Sequence, residues 1–211
     1  MRLHRVCVLA AACACAPAAL GGTPETYALS FEGGYQGLNA APESAKAVFA
    51  GSTGGGVFGG AIRVGVSRSF FVGAGARVLD KNGERVFVDG PAGTVFPLGH
   101  PLKVRLLPVY GFVGWRFMPA SNLVPYLSAG GGVTSYREES TVGNTTESES
   151  ASKASWHVAL GADYAVGRLG LGVEARLSRI PNVIGLGGVS KIYGETDLGG
   201  FSVVGRVSFR R

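Results

Sequence analysis

Residue types capable of bond-making chemistry meet in one stretch of the chain, residues 155–174. Ser155 and His157 are two apart, so on a strand their side chains share a face, and Asp163 and Glu174 carry carboxylates farther on. A hydrolase needs a nucleophile, a base and an orienting acid. Asp163 lies six residues from His157, roughly 20 Å along an extended strand. Trp156 and Val158 beside them complete no known catalytic motif. His157 therefore reads as polar lining near a rim. No catalytic, cofactor-binding or metal-binding residue is expected, and no cofactor.

A second candidate is the acidic run Glu138–Glu149, whose carboxylates suit a hard cation such as Ca²⁺. It lacks the D-x-[DN]-x-[DN]-G spacing of a helix-loop-helix calcium loop, so a solvated loop is expected. The third candidate is a set of charges that recur singly among small residues: Glu32, Arg63, Arg77, Arg116, Asp163, Glu174, Arg176 and Arg206. Buried charges must be paired and hydrogen-bonded. An arginine fork bridges carboxylates well. If these residues share an interior, they form a charge network.

Whether they do depends on the elements that carry them. From Trp156, alternate residues Trp156, Val158, Leu160, Ala162, Tyr164 and Val166 are apolar, while Ser155, His157, Ala159, Gly161, Asp163 and Ala165 are small or polar. After Gly167-Arg168 the alternation resumes, with Leu169, Leu171, Val173, Ala175 and Leu177 against Gly170, Gly172, Glu174 and Arg176. Strand side chains alternate between faces, so this is a hairpin with one apolar face. In a soluble sandwich the charged face would lie in water. Here that face is padded with glycine, as a narrow polar lumen requires.

The same two-residue period predicts strands over 27–36, 57–66, 70–79, 103–117, 124–136 and 201–209. With the hairpin that makes eight. Pro108 weakens the ladder where it stands, because proline lacks a donor. Connections alternate long (37–54, 80–102, 137–154, 179–199) and short (around 67–69, 119–122 and 167–168). The expected fold is all-β: an eight-stranded antiparallel up-and-down transmembrane β-barrel with four long extracellular loops and three short periplasmic turns. Aromatics on the apolar faces recur eight residues apart at Tyr27 and Tyr35, Trp156 and Tyr164, and Phe201 and Phe209. That is roughly 26 Å of strand, near the height of an apolar band once strand tilt is allowed for. With Phe58, Trp115 and Phe117 they form a candidate aromatic girdle.

Composition agrees. The chain has 211 residues, 35 glycines, 46% hydrophobic and 16% charged content, and a mean hydropathy of +0.24. Charge is low against a soluble norm of roughly 25%, which excludes disorder. After the N-terminus no run of 18 apolar residues exists, which excludes helical spanning. Net charge is +6, but without a dense basic run, so no nucleic-acid partner is expected. Residues 1–22 have a signal-peptide layout, with Arg2 and Arg5, an apolar core and small residues after it. Residues 23–211 would be the barrel. All three cysteines (Cys7, Cys13, Cys15) lie in that leader. Acylation of Cys13 is disfavoured because Leu9 sits one place too far from it.

The strand 123–133 (LVPYLSAGGGV), the segment 69–75 (SFFVGAG) and the closing 200–209 (GFSVVGRVSF) resemble the small eight-stranded outer-membrane barrels: the OmpA barrel, OmpX, OmpW and opacity-like proteins. The resemblance spans the chain after the leader and implies an integral outer-membrane protein of a Gram-negative cell. Outer-membrane lipid, the barrel assembly machinery and host or surface ligands are the implied partners. One departure is that Arg210 and Arg211 follow Phe209, where such chains usually end on an aromatic. The leading functional reading is a structural or surface-interaction barrel, not an enzyme. The alternative, implied by OmpW likeness, is a narrow channel or transporter for small or hydrophobic molecules, with inward Tyr110 and Tyr126 and an apolar patch at Val183, Ile184, Leu186 and Val189. A membrane-embedded lipid-modifying enzyme is the third.

Overall fold

The computed structural model describes residues 26–90, 93–143 and 145–211. The expected leader, its cleavage points and Cys13 lie outside the described residues. Eight strands form one closed antiparallel ring: β1 (Tyr27–Gly37), β2 (Gly54–Gly65), β3 (Phe70–Val88), β4 (Val95–Arg116), β5 (Leu123–Val142), β6 (Thr145–Val166), β7 (Leu169–Ile180) and β8 (Leu198–Arg210). Each pairs with its sequence neighbours. β8 closes on β1, from Ala28 opposite Arg210 to Gln36 opposite Ser202. A closed ring leaves no unpaired backbone edge in lipid. Residues 66–69, 117–122 and 167–168 connect strands at one end, here the turn end. Gly167 takes a left-handed φ of 60° in the shortest of these turns. At the opposite, loop end, two short helices lie in the connections: α1 (Pro42–Val48) and α2 (Gly188–Tyr193).

The aromatic residues of the expected girdle all face outward. Tyr27, Trp115, Phe117, Tyr164 and Phe209 ring the turn end, and Tyr35, Phe58, Trp156 and Phe201 ring the loop end; all nine are exposed. Between the rings the large outward residues are Leu, Ile, Val and Phe, with Ala and Gly among them, as a lipid-facing band allows.

Two of the expected long loops are strand for most of their length. β3 runs through Val88 and β4 starts at Val95, so 80–102 is largely hairpin. β5 runs through Val142 and β6 starts at Thr145, so the acidic run 137–154 is a hairpin too. The carboxylates of that run are spread along two paired strands, with Glu138 opposite Glu149 and Ser140 opposite Glu147. Most side chains there are exposed or half-buried, so no apolar alternation marks the strands, and Thr141, Thr145 and Thr146 carry the β preference instead. Pro97 and Pro101 obscure the other hairpin. β5 pairs with β4 only from Leu102 onward, so both prolines sit where β4 is an edge strand, the place in a sheet where proline is tolerated. Within the wall, Pro108 has the expected effect: the β3–β4 ladder skips from Ala76–Val109 to Leu79–Leu106.

The result is a lopsided barrel. β1, β2, β7 and β8 have 11 to 13 residues, whereas β3 to β6 have 19 to 22. Half of the wall rises about 30 Å farther along its strands than the other half.

The loop end has its own apolar core. Leu38, Ala45 and Phe49 of the β1–β2 connection, Val183 of the β7–β8 connection, Leu198 at the start of β8, and Leu79, Leu102, Val104, Leu106 and Tyr136 of the tall wall pack together. The expected apolar patch of the β7–β8 connection thus divides. Val183 is buried and Ile184 packs on this core, Val189 is half-buried, and Leu186 is 93% exposed.

Candidate functional site: the lumen network

The inner wall of the membrane-level barrel carries all eight charged residues of the sequence-derived network. Each is buried, Arg63 and Arg77 to 2% exposure. Alternation puts them inside, and small residues give them room. A Cβ on Gly59 would come within 2.7 Å of Arg77 Cγ. On Gly161 and Gly172 it would collide with the Tyr126 ring and the Asp163 carboxylate. The glycine padding is the space that the long side chains occupy.

Arg77 of β3 is the centre of the network. Its Nε and Nη2 donate to Glu32 of β1 at 2.5 and 2.9 Å, and Nη2 also donates to Glu174 of β7 at 2.7 Å. Glu174 collects four groups in all: Arg77, Arg176 Nε at 3.0 Å, Arg206 Nη2 at 3.2 Å and the Tyr126 hydroxyl at 2.9 Å. The Tyr110 hydroxyl donates to Glu32 at 3.1 Å. A second pair lies nearer the turn end, where Arg63 Nη1 donates to Asp163 at 2.7 Å. Arg206 Nε, 3.8 Å from Asp163, links the two groups. Guanidinium planes also lie over rings: Arg176 over Tyr110 at 4.5 Å, Arg206 over Tyr126 at 5.1 Å and Arg116 over Phe71 at 4.9 Å. Such contacts add cation–π attraction where water is excluded.

The bonds of Arg77 to Glu32 and Glu174, of Arg63 to Asp163 and of the two tyrosines cross the bore between non-adjacent strands, so side chains fill it. Tyr110 and Tyr126, expected only as inward aromatics, are hydroxyl donors to the two central carboxylates. Fully buried Phe71 is an inward residue that the sequence reading did not single out. Its signal was available: Phe70 is in phase with the outward residues of β3, which turns Phe71 inward.

Ser155 and His157 line the same cavity, but among the described residues no hydrogen bond joins them to each other or to Asp163. Ser155 Oγ accepts from Thr134 Oγ1 at 2.9 Å, and Asp163 is held by Arg63. His157 is buried against Tyr110, with ring centroids 4.9 Å apart. It sits among aromatics inside the lumen rather than at a rim, a correction to the sequence reading. It is paired with Gly130 and Ser178 across its neighbours, and a Cβ on Gly130 would come within 2.7 Å of its ring. Its Nε2 has no hydrogen-bond partner.

Residues 6–183 match the family model of the outer membrane protein beta-barrel domain. The chain belongs to that family. Its membership places the protein in the outer membrane. The match ends before β8, which completes the ring. No curated protein matches the sequence. Solved barrels share the fold at low identity. Neisserial surface protein A is 13% identical with a TM-score of 0.54, covering 88% of this chain and 96% of its own. A major outer membrane protein from Thermus thermophilus is 10% identical with a TM-score of 0.54, over 88% and 98%. Ail, the attachment invasion locus protein of Yersinia pestis, is 12% identical with a TM-score of 0.51, over 89% and 99%.

Proposed function

We propose that this outer-membrane barrel is a surface-interaction protein, whose raised β3–β6 sheet meets ligands outside the cell while the plugged bore serves as a strut. The observation that carries this reading is the unequal wall: four strands of 19 to 22 residues above a membrane-level ring that the others finish in 11 to 13. That extra sheet is not needed to span a bilayer, for which about ten residues per strand suffice. It exposes Phe87 and Phe96, whose ring centroids lie 6.4 Å apart, together with Leu98. Exposed apolar groups on a polar support suit contact with another macromolecule. Likeness to a protein named for attachment and invasion points the same way.

Residues 16–211 contain no cysteine, which makes the topology directly testable. A Ser148→Cys variant at the hairpin end should react with a membrane-impermeant maleimide on intact cells. A Ser67→Cys variant in a turn should react only after permeabilisation. Protection of Ser148→Cys on intact cells would sink the reading. The second reading, a narrow conduit for small or hydrophobic molecules, has less support. Arg77, Glu32 and Glu174 cross its path in the bore, and the apolar core covers the loop end. A role as a lipid-modifying enzyme has less support, because among the described residues no hydrogen bond links Ser155, His157 and Asp163 as nucleophile, base and acid.

A further inference from the structure

Buried charge in the bore does not balance. Around Arg77, three buried arginines (Arg77, Arg176 and Arg206) share two buried carboxylates, Glu32 and Glu174, an excess of one positive charge. Uncompensated charge in a low-dielectric interior is costly.

The excess has a place to be met. Between the network and the apolar core lies a cavity of ≈ 30 Å³, with Arg77, Arg176, His157, Thr134, Ser155 and Ser178 in its lining. That is room for one or two water-sized particles. No carboxylate lines it. The lining is rich in donors. Arg176 uses Nε and Nη2 on Glu174, and Arg77 Nη1 has only a 3.5 Å contact to Ser202 Oγ. His157 is 5% exposed, and its Nε2 has no partner in the protein. Guanidinium, imidazole and hydroxyl groups on a wall that carries no carboxylate are the chemistry of an anion site; Glu32 and Glu174 hold Arg77 and Arg176 but do not line the cavity.

We propose that this cavity binds one small monovalent anion of chloride size, held by Arg176, Arg77 and His157. The anion lowers the excess positive charge of the bore and gives His157 Nε2–H an acceptor. The inference rests on the fold and the network, and does not depend on the surface-interaction reading.

The test uses the full barrel in detergent at constant ionic strength. Sodium gluconate, whose anion is too large for the cavity, is replaced stepwise by sodium bromide or chloride. The temperature at which the folded form converts to the slower-migrating unfolded form on SDS gels is followed. Binding to the folded state alone raises that temperature with a saturating dependence on anion concentration. A rise of a few degrees that saturates is expected. A Ser155→Leu variant fills the cavity from its wall without removing a charge, and should lose the response while remaining folded. If that variant fails to fold, bromide-soaked crystals of the unaltered chain replace it, with anomalous signal expected beside Arg176 and His157. Four results would overturn the proposal: no dependence on anion, an equal response to gluconate, an undiminished response in a folded Ser155→Leu variant, or cavity density without anomalous signal, which is water. Bromide density without a thermal response is binding at crystal concentration only and counts against it as well.

Discussion

Glu174 shows how much one side chain can hold in the bore. It accepts from three arginines and a tyrosine. Its removal would leave guanidinium groups buried without their counter-charge. Breaking a buried ionic cluster from one side costs about 3–5 kcal/mol. A Glu174→Ala barrel should therefore lose its gel-shift resistance to SDS at a clearly lower temperature than the parent. Replacing Glu32 and Arg77 together by Leu and Met should cost much less than either single change, because no charge is then stranded. Gly161 tests the opposite error. A Gly161→Val side chain would run into the Tyr126 ring, and overpacking of this kind costs about 1–3 kcal/mol. The same melting measurement reads it.

At the scale of elements, the β7–β8 connection is organised by Asp197. The backbone N–H of Asn182 donates to it at 3.0 Å, with the Thr196 hydroxyl at 3.1 Å and Arg179 Nε at 2.8 Å adding to the effect. These donors, the Asn182 amide first, hold its carboxyl below the usual range. A depressed carboxyl contributes stability above its unfolded pKa of about 4, and that contribution fades as pH falls through the lower folded value. Protection of the Asn182 amide, its exchange rate compared with the intrinsic rate at each pH, should be high at neutral pH and fall several-fold once acid protonates Asp197. An Asp197→Asn variant should show the low protection at neutral pH and no acid step. A parent protein without that step would refute the assignment.

Element by element, the sequence was legible wherever one face met lipid. The wall strands show two-residue alternation because outward Val, Leu and Phe face hydrocarbon while inward Gly, Ser and Arg do not. That contrast disappears above the membrane. Residues 137–154 are mostly exposed or half-buried, and 80–102 carry prolines that an edge strand tolerates, so both looked like loops. The eight inward charges could be found from their glycine-padded faces. Their pairing could not. Arg77 meets Glu174 across 97 positions and Arg63 meets Asp163 across 100, and only the stagger of a closed ring decides such contacts. His157 was legible as inward but not as buried, because the aromatics around it come from β4.

For the whole molecule, the bore joins two seals of different kind: ionic at membrane level and apolar at the loop end. Conductance needs both to open. Planar bilayers containing the purified barrel should stay silent under moderate voltage, and a stable ohmic step would revive the conduit reading. Shortening the tall wall by removing residues 141–146 should leave the ring, both seals and the SDS-resistant form intact, since the ladder partners of that segment lie within it. Surface binding should be lost in the same variant.

The two connections at the loop end are clasped to each other. Glu195 accepts from the backbone N–H groups of Glu43 and Ser44 at the start of α1, at 3.0 and 2.8 Å. Ala40 N–H donates to the Gly199 carbonyl at 3.1 Å, and Phe201 N–H to Asn39 Oδ1 at 3.2 Å. One partner of every bond follows β1 and the other follows β7 or opens β8, so the clasp spans the seam where the last strand meets the first. It cannot fasten on a chain whose final strand is still unplaced. During biogenesis it is a latch that drops only after the ring has shut, and a half-built barrel would be left uncapped until its final strand docks.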